Sequence, residues 1–152
     1  MARTKQDRRV QYAALPFRAG PDGATQVLLI TSRETGRWVI PKGWPMRGRT
    51  PREVAAREAF EEAGLEGVIV GKLAVGSYHY AKGLPGGEHV LCEVRVFLLL
   101  VERELAEFPE RGQRQARWTT PDEAAALVDE GGLSEIIRRT AGARFMRPGR
   151  KG

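Results

Sequence analysis

Thr50-Pro51-Arg52-Glu53 marks a helix start that leaves few alternatives for the chain around it. The threonine hydroxyl suits the N–H of the third helical residue, the glutamate carboxylate reaches back to the threonine N–H, and proline occupies the first helical position, where a missing N–H costs nothing. Gly64 is the expected left-handed residue that closes the segment, so a helix is expected from Pro51 to about Ala63. Thr120-Pro121-Asp122-Glu123 repeats the same signal late in the chain. It is followed by a turn at Gly131-Gly132 and a last helical segment from Leu133 to Thr140.

Between these helices the pattern is that of strands. Val10 to Phe17 reads as a first strand, ended by the turn cluster 19–23. Gln26 to Thr31 is apolar enough for burial on both faces. Trp38-Val39-Ile40 is short and stops at Pro41, and Lys42 to Arg49 reads as a loop. Val68 to Tyr80 and His89 to Glu102 read as two long strands joined by a hairpin loop over 82–87. Residues 103–115 carry no clear period, and Arg117-Trp118-Thr119 is a short strand. The intervals are too irregular for repeated βαβ units, so the expected class is a mixed α/β domain.

The 152 residues suffice for one ordinary core, and 41% hydrophobic with 29% charged residues excludes a disordered chain. The longest uncharged apolar run, Val96 to Val101, is too short to span a bilayer. The first ten residues hold charge without an apolar run, so no secretory signal is expected. The single Cys92 excludes an intramolecular disulfide and a multi-cysteine zinc site, and fits a reducing cytoplasm. Residues 1–9 and 143–152 together carry +7, while 10–142 carries −1. The division expected is therefore a domain over 10–142 between two basic tails. The tails read first as solvated ends and alternatively as a nucleic-acid contact.

The first helix carries the informative chemistry. At about 100° per residue Glu61 and Glu62 lie within roughly 60° either side of Glu58, so three carboxylates share one face, with Ala56, Ala59, Phe60 and Ala63 opposite. Like charges at these spacings repel, so helix stability does not ask for them. Taken alone they also read as a solvated acidic face. A hard divalent cation such as Mg²⁺ or Mn²⁺ does ask for them. From Arg33 to Arg57 seven basic residues (Arg33, Arg37, Lys42, Arg47, Arg49, Arg52 and Arg57) stand against Glu34 and Glu53. Cations beside a carboxylate cluster suit a polyphosphate ligand.

Gly43, followed after the right intervals by Arg57-Glu58-Ala59-Phe60-Glu61-Glu62-Ala63-Gly64-Leu65, resembles the Nudix box, G-x5-E-x7-R-E-U-x-E-E-x-G-U, over residues 43–65. Two positions depart from it: Arg49 replaces the first glutamate and Ala59 the first bulky aliphatic residue. The resemblance implies a Nudix-like mixed sheet sandwiched between helices in a single domain. It also implies a metal-dependent phosphoanhydride hydrolase. On this likeness Glu58, Glu61, Glu62 and the Gly43 carbonyl would hold Mg²⁺ or Mn²⁺, with Glu58 alternatively the general base. Arg57 would fix a helix glutamate.

Trp38 to Gly43 and Arg117-Trp118 resemble the diphosphoinositol polyphosphate and diadenosine polyphosphate hydrolases of the family. ADP-ribose pyrophosphatase is the runner-up. A catalytically weak domain binding nucleotide or RNA, and 5′-end removal from RNA, are further readings. Arg33, Arg37, Lys42, Trp44, Arg47 and Arg49 are the expected substrate contacts. Glu107 and Glu110 are candidate late acids, with Glu93 behind them, each alternatively a solvated charge. Tyr78, His79, Tyr80 and His89 flank the hairpin as base-stacking candidates or half-buried strand aromatics.

Overall fold

Both helix caps close as the sequence indicates in the computed structural model, which describes residues 8–140. Thr50 Oγ1 accepts from the Glu53 N–H at 3.2 Å while Glu53 Oε1 accepts from the Thr50 N–H at 2.9 Å, and Thr120 and Glu123 repeat the arrangement at 3.1 Å each way. They open α1 (Pro51–Ala63) and α2 (Pro121–Leu127). Gly64 ends α1 at φ 70°, and its N–H returns to the last turn. α3 (Gly131–Thr140) begins at the glycine pair that the sequence reads as a turn.

The strands are β1 (Arg8–Ala19), β2 (Thr25–Thr31), β3 (Trp38–Val39), β4 (Lys42–Gly43), β5 (Leu65–Val70), β6 (Gly76–Gly83), β7 (His89–Glu104) and β8 (Ala116–Thr119). They form one mixed sheet with the order β3-β2-β1-β7-β5, in which β4 joins β1, β6 joins β7 and β8 joins β2. β1 and β7 run parallel over ten residue pairs, and the other pairings are antiparallel. α1 covers one face over Ala14, Leu28, Ile30, Phe97 and Leu99. α2 and α3 cover the other over Leu15, Phe17, Val27, Leu29, Val94 and Val96. Apolar burial on both faces explains why β2 and the middle of β7, from Val96 to Leu99, read as continuous hydrophobic runs. Among the described residues no helix is long and apolar enough to cross a membrane.

Three expectations are corrected. The strand expected from Val68 to Tyr80 is two strands: Val70 pairs Leu98 and Gly76 pairs Val96, so 71–75 loops out of a common edge. Gly71 makes that exit at φ 83°. Lys42 and Gly43 are paired to Ala13 and Tyr12 and are not loop. β1 starts at Arg8, inside the segment assigned to the first tail, because β7 is long enough to offer Leu91 and Cys92 to Arg8 and Arg9. The remaining tail residues, including the four cations of 143–152, lie outside the described residues.

Candidate active site

One edge of β1 is shared. β4 pairs with it at Tyr12 and Ala13, β2 at Phe17 to Ala19, and the Ala14 N–H donates to the Pro41 carbonyl at 3.0 Å. Pro16, whose N–H would point to that same edge, falls between the two partners, where no donor is required. The divergence opens a cleft of about 390 Å³. It is bounded by the 32–37 turn, β4, α1, the end of β6, Glu110 and Arg114, and the α2–α3 junction.

α1 does not present its glutamates as an outward face. Val54, Ala55, Glu58 and Ala59 are its buried residues, and Glu58 is only 8% exposed. Val54, Glu58 and Glu62 fall within about 80° of one another, so the packed stripe itself carries two carboxylates to the cleft rim. Ala56 and Ala63 are only partly buried at its margins. Gly43 makes room for Glu58: a Cβ built there would fall on the Glu58 carboxylate.

Glu58 and Glu62 are hydrogen-bonded to each other. Burial, then the bond to Glu62 and the charges of Glu62, Glu61 and Glu110, push the Glu58 carboxyl up to about 8. Glu62 is also raised by burial, with Arg114 and Lys42 opposing. Glu61 accepts from Arg57 Nε at 2.7 Å, and Glu62 has Arg114 at 3.8 Å. Among the described residues no cation pairs with Glu58 within 4.0 Å. Nor are three acidic, histidine or cysteine side chains already drawn together as a cage. The pair nevertheless fits a hard cation: two carboxylates one helical turn apart are raised by burial and so favour a counter-charge, all donors are oxygen, and Glu61 is one salt bridge away from joining.

Of the seven clustered cations, only Arg33, Arg37 and Lys42 line the cleft, joined by Lys82 and Arg114 from elsewhere in the chain. Lys42 lies 5.1 Å from the centre of the Tyr80 ring, and burial lowers its pKa against the pull of Glu62 and Glu130. Arg37 pairs with Asp129 at 3.1 Å, and Arg33 donates to Gln113 at 2.7 Å. Trp44 lines the cleft and is 37% exposed. Arg47 and Arg49 do not line it. Arg49 borders a separate hollow with Glu53, Arg57, Phe60 and Arg103, because the chain turns away from β4 before α1 begins. Arg57 acts on the cleft only through Glu61.

Of the candidate late acids, Glu110 lines the cleft, and Glu107 does not: it is 83% exposed and pairs with Arg111. Glu93 pairs with Arg95 outside the cleft. Glu110 is held, its carboxylate accepting from Arg114 Nε at 3.2 Å and Nη2 at 3.0 Å and its N–H donating to the Glu61 carbonyl at 3.0 Å. Tyr78 belongs to the core and His79 and His89 lie outside the cleft, leaving Tyr80 as the hairpin aromatic that lines it, its hydroxyl donating to Gln11 at 2.7 Å. Gln11, Lys82, Arg114 and Glu130 also line it, and no motif or spacing in the sequence singles them out. Arg114 comes from the segment without a period, and its Nη1, donating to the Thr31 carbonyl at 3.1 Å, joins its links to Glu110 and Glu62 in holding it at the cleft.

The NUDIX domain pattern matches residues 8–140. Nudix hydrolase 16, mitochondrial, of Arabidopsis thaliana is 36% identical over 131 residues, covering 76% of this chain and 70% of its own. This chain belongs to the Nudix family. It spans 52% to 60% of the length of three other plant Nudix hydrolases. Two solved Nudix-like structures share the fold. A C. elegans Ap4A hydrolase binary complex has a TM-score of 0.64 at 17% identity, covering 92% of this chain and 98% of that one. The NUDIX domain of Shewanella oneidensis NrtR with ADP ribose has a TM-score of 0.63 at 13% identity, covering 87% and 86%. Nudix hydrolases generally use a divalent metal ion.

The Nudix box departure at Arg49 has a measurable consequence. Because Arg49 borders the other hollow, Arg49→Ala is expected to change KM for a polyphosphate less than about twofold, where a direct charge-assisted phosphate contact would cost at least about tenfold. Steady-state kinetics decide it, and a tenfold rise would return Arg49 to the substrate.

Proposed function

We propose that the chain is a Mg²⁺- or Mn²⁺-dependent hydrolase of phosphoanhydride bonds in nucleoside-diphosphate-linked substrates, acting on diadenosine polyphosphates or inositol pyrophosphates. The observation that carries this reading is the buried Glu58, seated against Gly43 and one helical turn from Glu62 at the rim of a cleft that also holds five cations. Glu58, Glu61, Glu62 and the Gly43 carbonyl would hold the metal, with Glu58 alternatively the base for the attacking water. When bound, the metal neutralises phosphoryl oxygens and makes its water a stronger nucleophile. Arg57 orients Glu61, and Arg114 orients Glu62 and Glu110. Arg33, Arg37, Lys42 and Lys82 offer donors to the phosphates, and Trp44 walls the cleft. Six carboxylates line the cleft against these five cations, so metal and polyphosphate support each other's binding.

The test is phosphate release from diadenosine tetra-, penta- and hexaphosphate, an inositol pyrophosphate, ADP-ribose and triphosphorylated RNA, with metal or with chelator. Expected are activity lost with chelator and kcat/KM rising with phosphate number, the preference eroding as salt rises. ADP-ribose, present in the NrtR structure, is the second reading, and a strong preference for it at every salt concentration would replace the first. Nucleotide affinity without turnover would leave a binding module. The division into a catalytic unit that begins with β1 at Arg8 and basic tails outside it belongs to the same proposal, as does RNA contact through those tails. The buried free Cys92 supports a reducing compartment such as the cytoplasm, whereas the names of several plant relatives say mitochondrial.

Metal and pH are linked through Glu58. Its carboxyl is raised from 4.5 to about 8 in the fold, so between these values the metal-free fold holds a proton that the unfolded chain has lost. Stability of the metal-free protein therefore falls as pH rises through that window. Metal displaces the proton, so Mg²⁺ or Mn²⁺ is expected to raise Tm more at pH 8 than at pH 6. Equal shifts in paired melts at the two pH values would count against the proton held on Glu58.

A further inference from the structure

Glu130 lines the cleft and has no part in the metal and phosphate chemistry assigned to α1 and the cations. It stands at the α2–α3 junction, where its carbonyl accepts from the Ser134 N–H at 3.0 Å. Its neighbour Asp129 holds Arg37 at 3.1 Å, which ties the junction to the 32–37 turn. The Glu130 Oε1 atom is buried and, among the described residues, has no hydrogen-bond partner. A buried acceptor left unpaired is costly, and because Glu130 belongs to the cleft lining, a hydrogen-bond donor bound in the cleft would relieve that cost. The charge of Glu130 acts on Lys42, Tyr78 and Tyr80, and it is not among the principal influences on Glu58 or Glu62. It is therefore a second acidic feature of the same cleft, apart from the α1 cluster.

An ionised carboxylate only accepts hydrogen bonds. An ionised phosphate has none to donate and is repelled by it. A sugar hydroxyl or an exocyclic amine does donate. We propose that Glu130 receives the uncharged, hydrogen-bond-donating end of the substrate, a nucleoside, while the phosphates lie toward Lys42 and α1. This rests on the polyphosphate-hydrolase reading and deepens it. Glu130 then selects nucleoside polyphosphates against inositol pyrophosphates, whose ring positions carry phosphate in place of donors.

The experiment compares Glu130→Ala and Glu130→Gln with the unsubstituted full chain, using diadenosine tetraphosphate and an inositol pyrophosphate as substrates. Calorimetry adds the binding of ATP and of tripolyphosphate, which has no donor. In Glu130→Ala, KM for diadenosine tetraphosphate is expected to rise roughly tenfold or more with kcat changed less than twofold. Glu130→Gln, which keeps an acceptor, is expected to lose less. The inositol pyrophosphate and tripolyphosphate are expected to bind as well or better, since a repelling charge is gone. The 2′-deoxy and inosine counterparts of the nucleotide show whether sugar or base supplies the donor. An unchanged nucleotide KM overturns the proposal. So does equal weakening of both substrate classes or loss of metal affinity, which would make Glu130 structural or a metal ligand. If the unsubstituted chain turns over neither substrate, the hydrolase reading fails. ATP binding that weakens in Glu130→Ala while tripolyphosphate binding holds would then still establish the subsite, and unchanged ATP binding would dismiss it.

Discussion

Glu62→Gln is expected to lower turnover by about a hundredfold or more and yet leave the metal-free protein at least as stable as before. The two halves have one cause. Glu62 is hydrogen-bonded to Glu58, and burial raises the pKa of both. With metal absent, an ionised carboxylate there is an electrostatic liability that the hydrogen bond from Glu58, Arg114 at 3.8 Å and Lys42 only partly relieve, and an amide oxygen can still accept that bond. An amide of the same shape removes the liability and with it a charged ligand. A residue serving only the fold would behave oppositely, losing stability and activity together. Turnover with saturating Mg²⁺ or Mn²⁺ and melting in chelator measure the two halves. Turnover near that of the unsubstituted protein would remove Glu62 from the metal site.

Gly43→Ala is expected to act on the same cluster from the other side. The position needs no left-handed backbone, since Gly43 is absent from the residues with positive φ. What it needs is room, because the added Cβ would fall on the Glu58 carboxylate. Neither backbone yields easily, so the end of the Glu58 side chain must move. β4 is paired to Tyr12 and Ala13, and α1 is held by its caps and by Ala55 and Ala59 against the sheet. Overpacking of this kind costs about 1–3 kcal/mol. Turnover is expected to fall by on the order of a hundredfold, because Glu58 must leave its position. Gly48→Ala is the control: Gly48 has φ 80°, and a methyl group there would meet nothing within 4 Å. It is therefore expected to cost about 1–2 kcal/mol of backbone strain with kcat unchanged. Equal kinetic effects of the two substitutions would show that Gly43 is not a spacer for Glu58.

What is local in this chain can be read from its residues in order. Thr50, Glu53 and Gly64 bound α1 through contacts within a few residues, and the box spacing from Gly43 to Leu65 carries the family and the fold. The two apolar faces of β2 and of the middle of β7 are legible for the same reason, since burial on both sides of a strand writes itself as a continuous run. Depth and company are set by the folded chain. Helical angles alone put Glu58, Glu61 and Glu62 on one outward face, yet docking against β4 buries Glu58 and leaves Glu61 to Arg57. Counting charge along 33–57 gathers Arg47 and Arg49 with Arg33, but position along a chain is not position in space, and the turn before α1 sends them apart. Arg114 reaches the cleft through a contact with β2 from more than 80 residues away, and Glu130 through its neighbour Asp129, which pairs with Arg37 of the 32–37 turn. Contacts between distant segments leave no periodic mark on either one, which is why those two residues become visible only once the chain is folded.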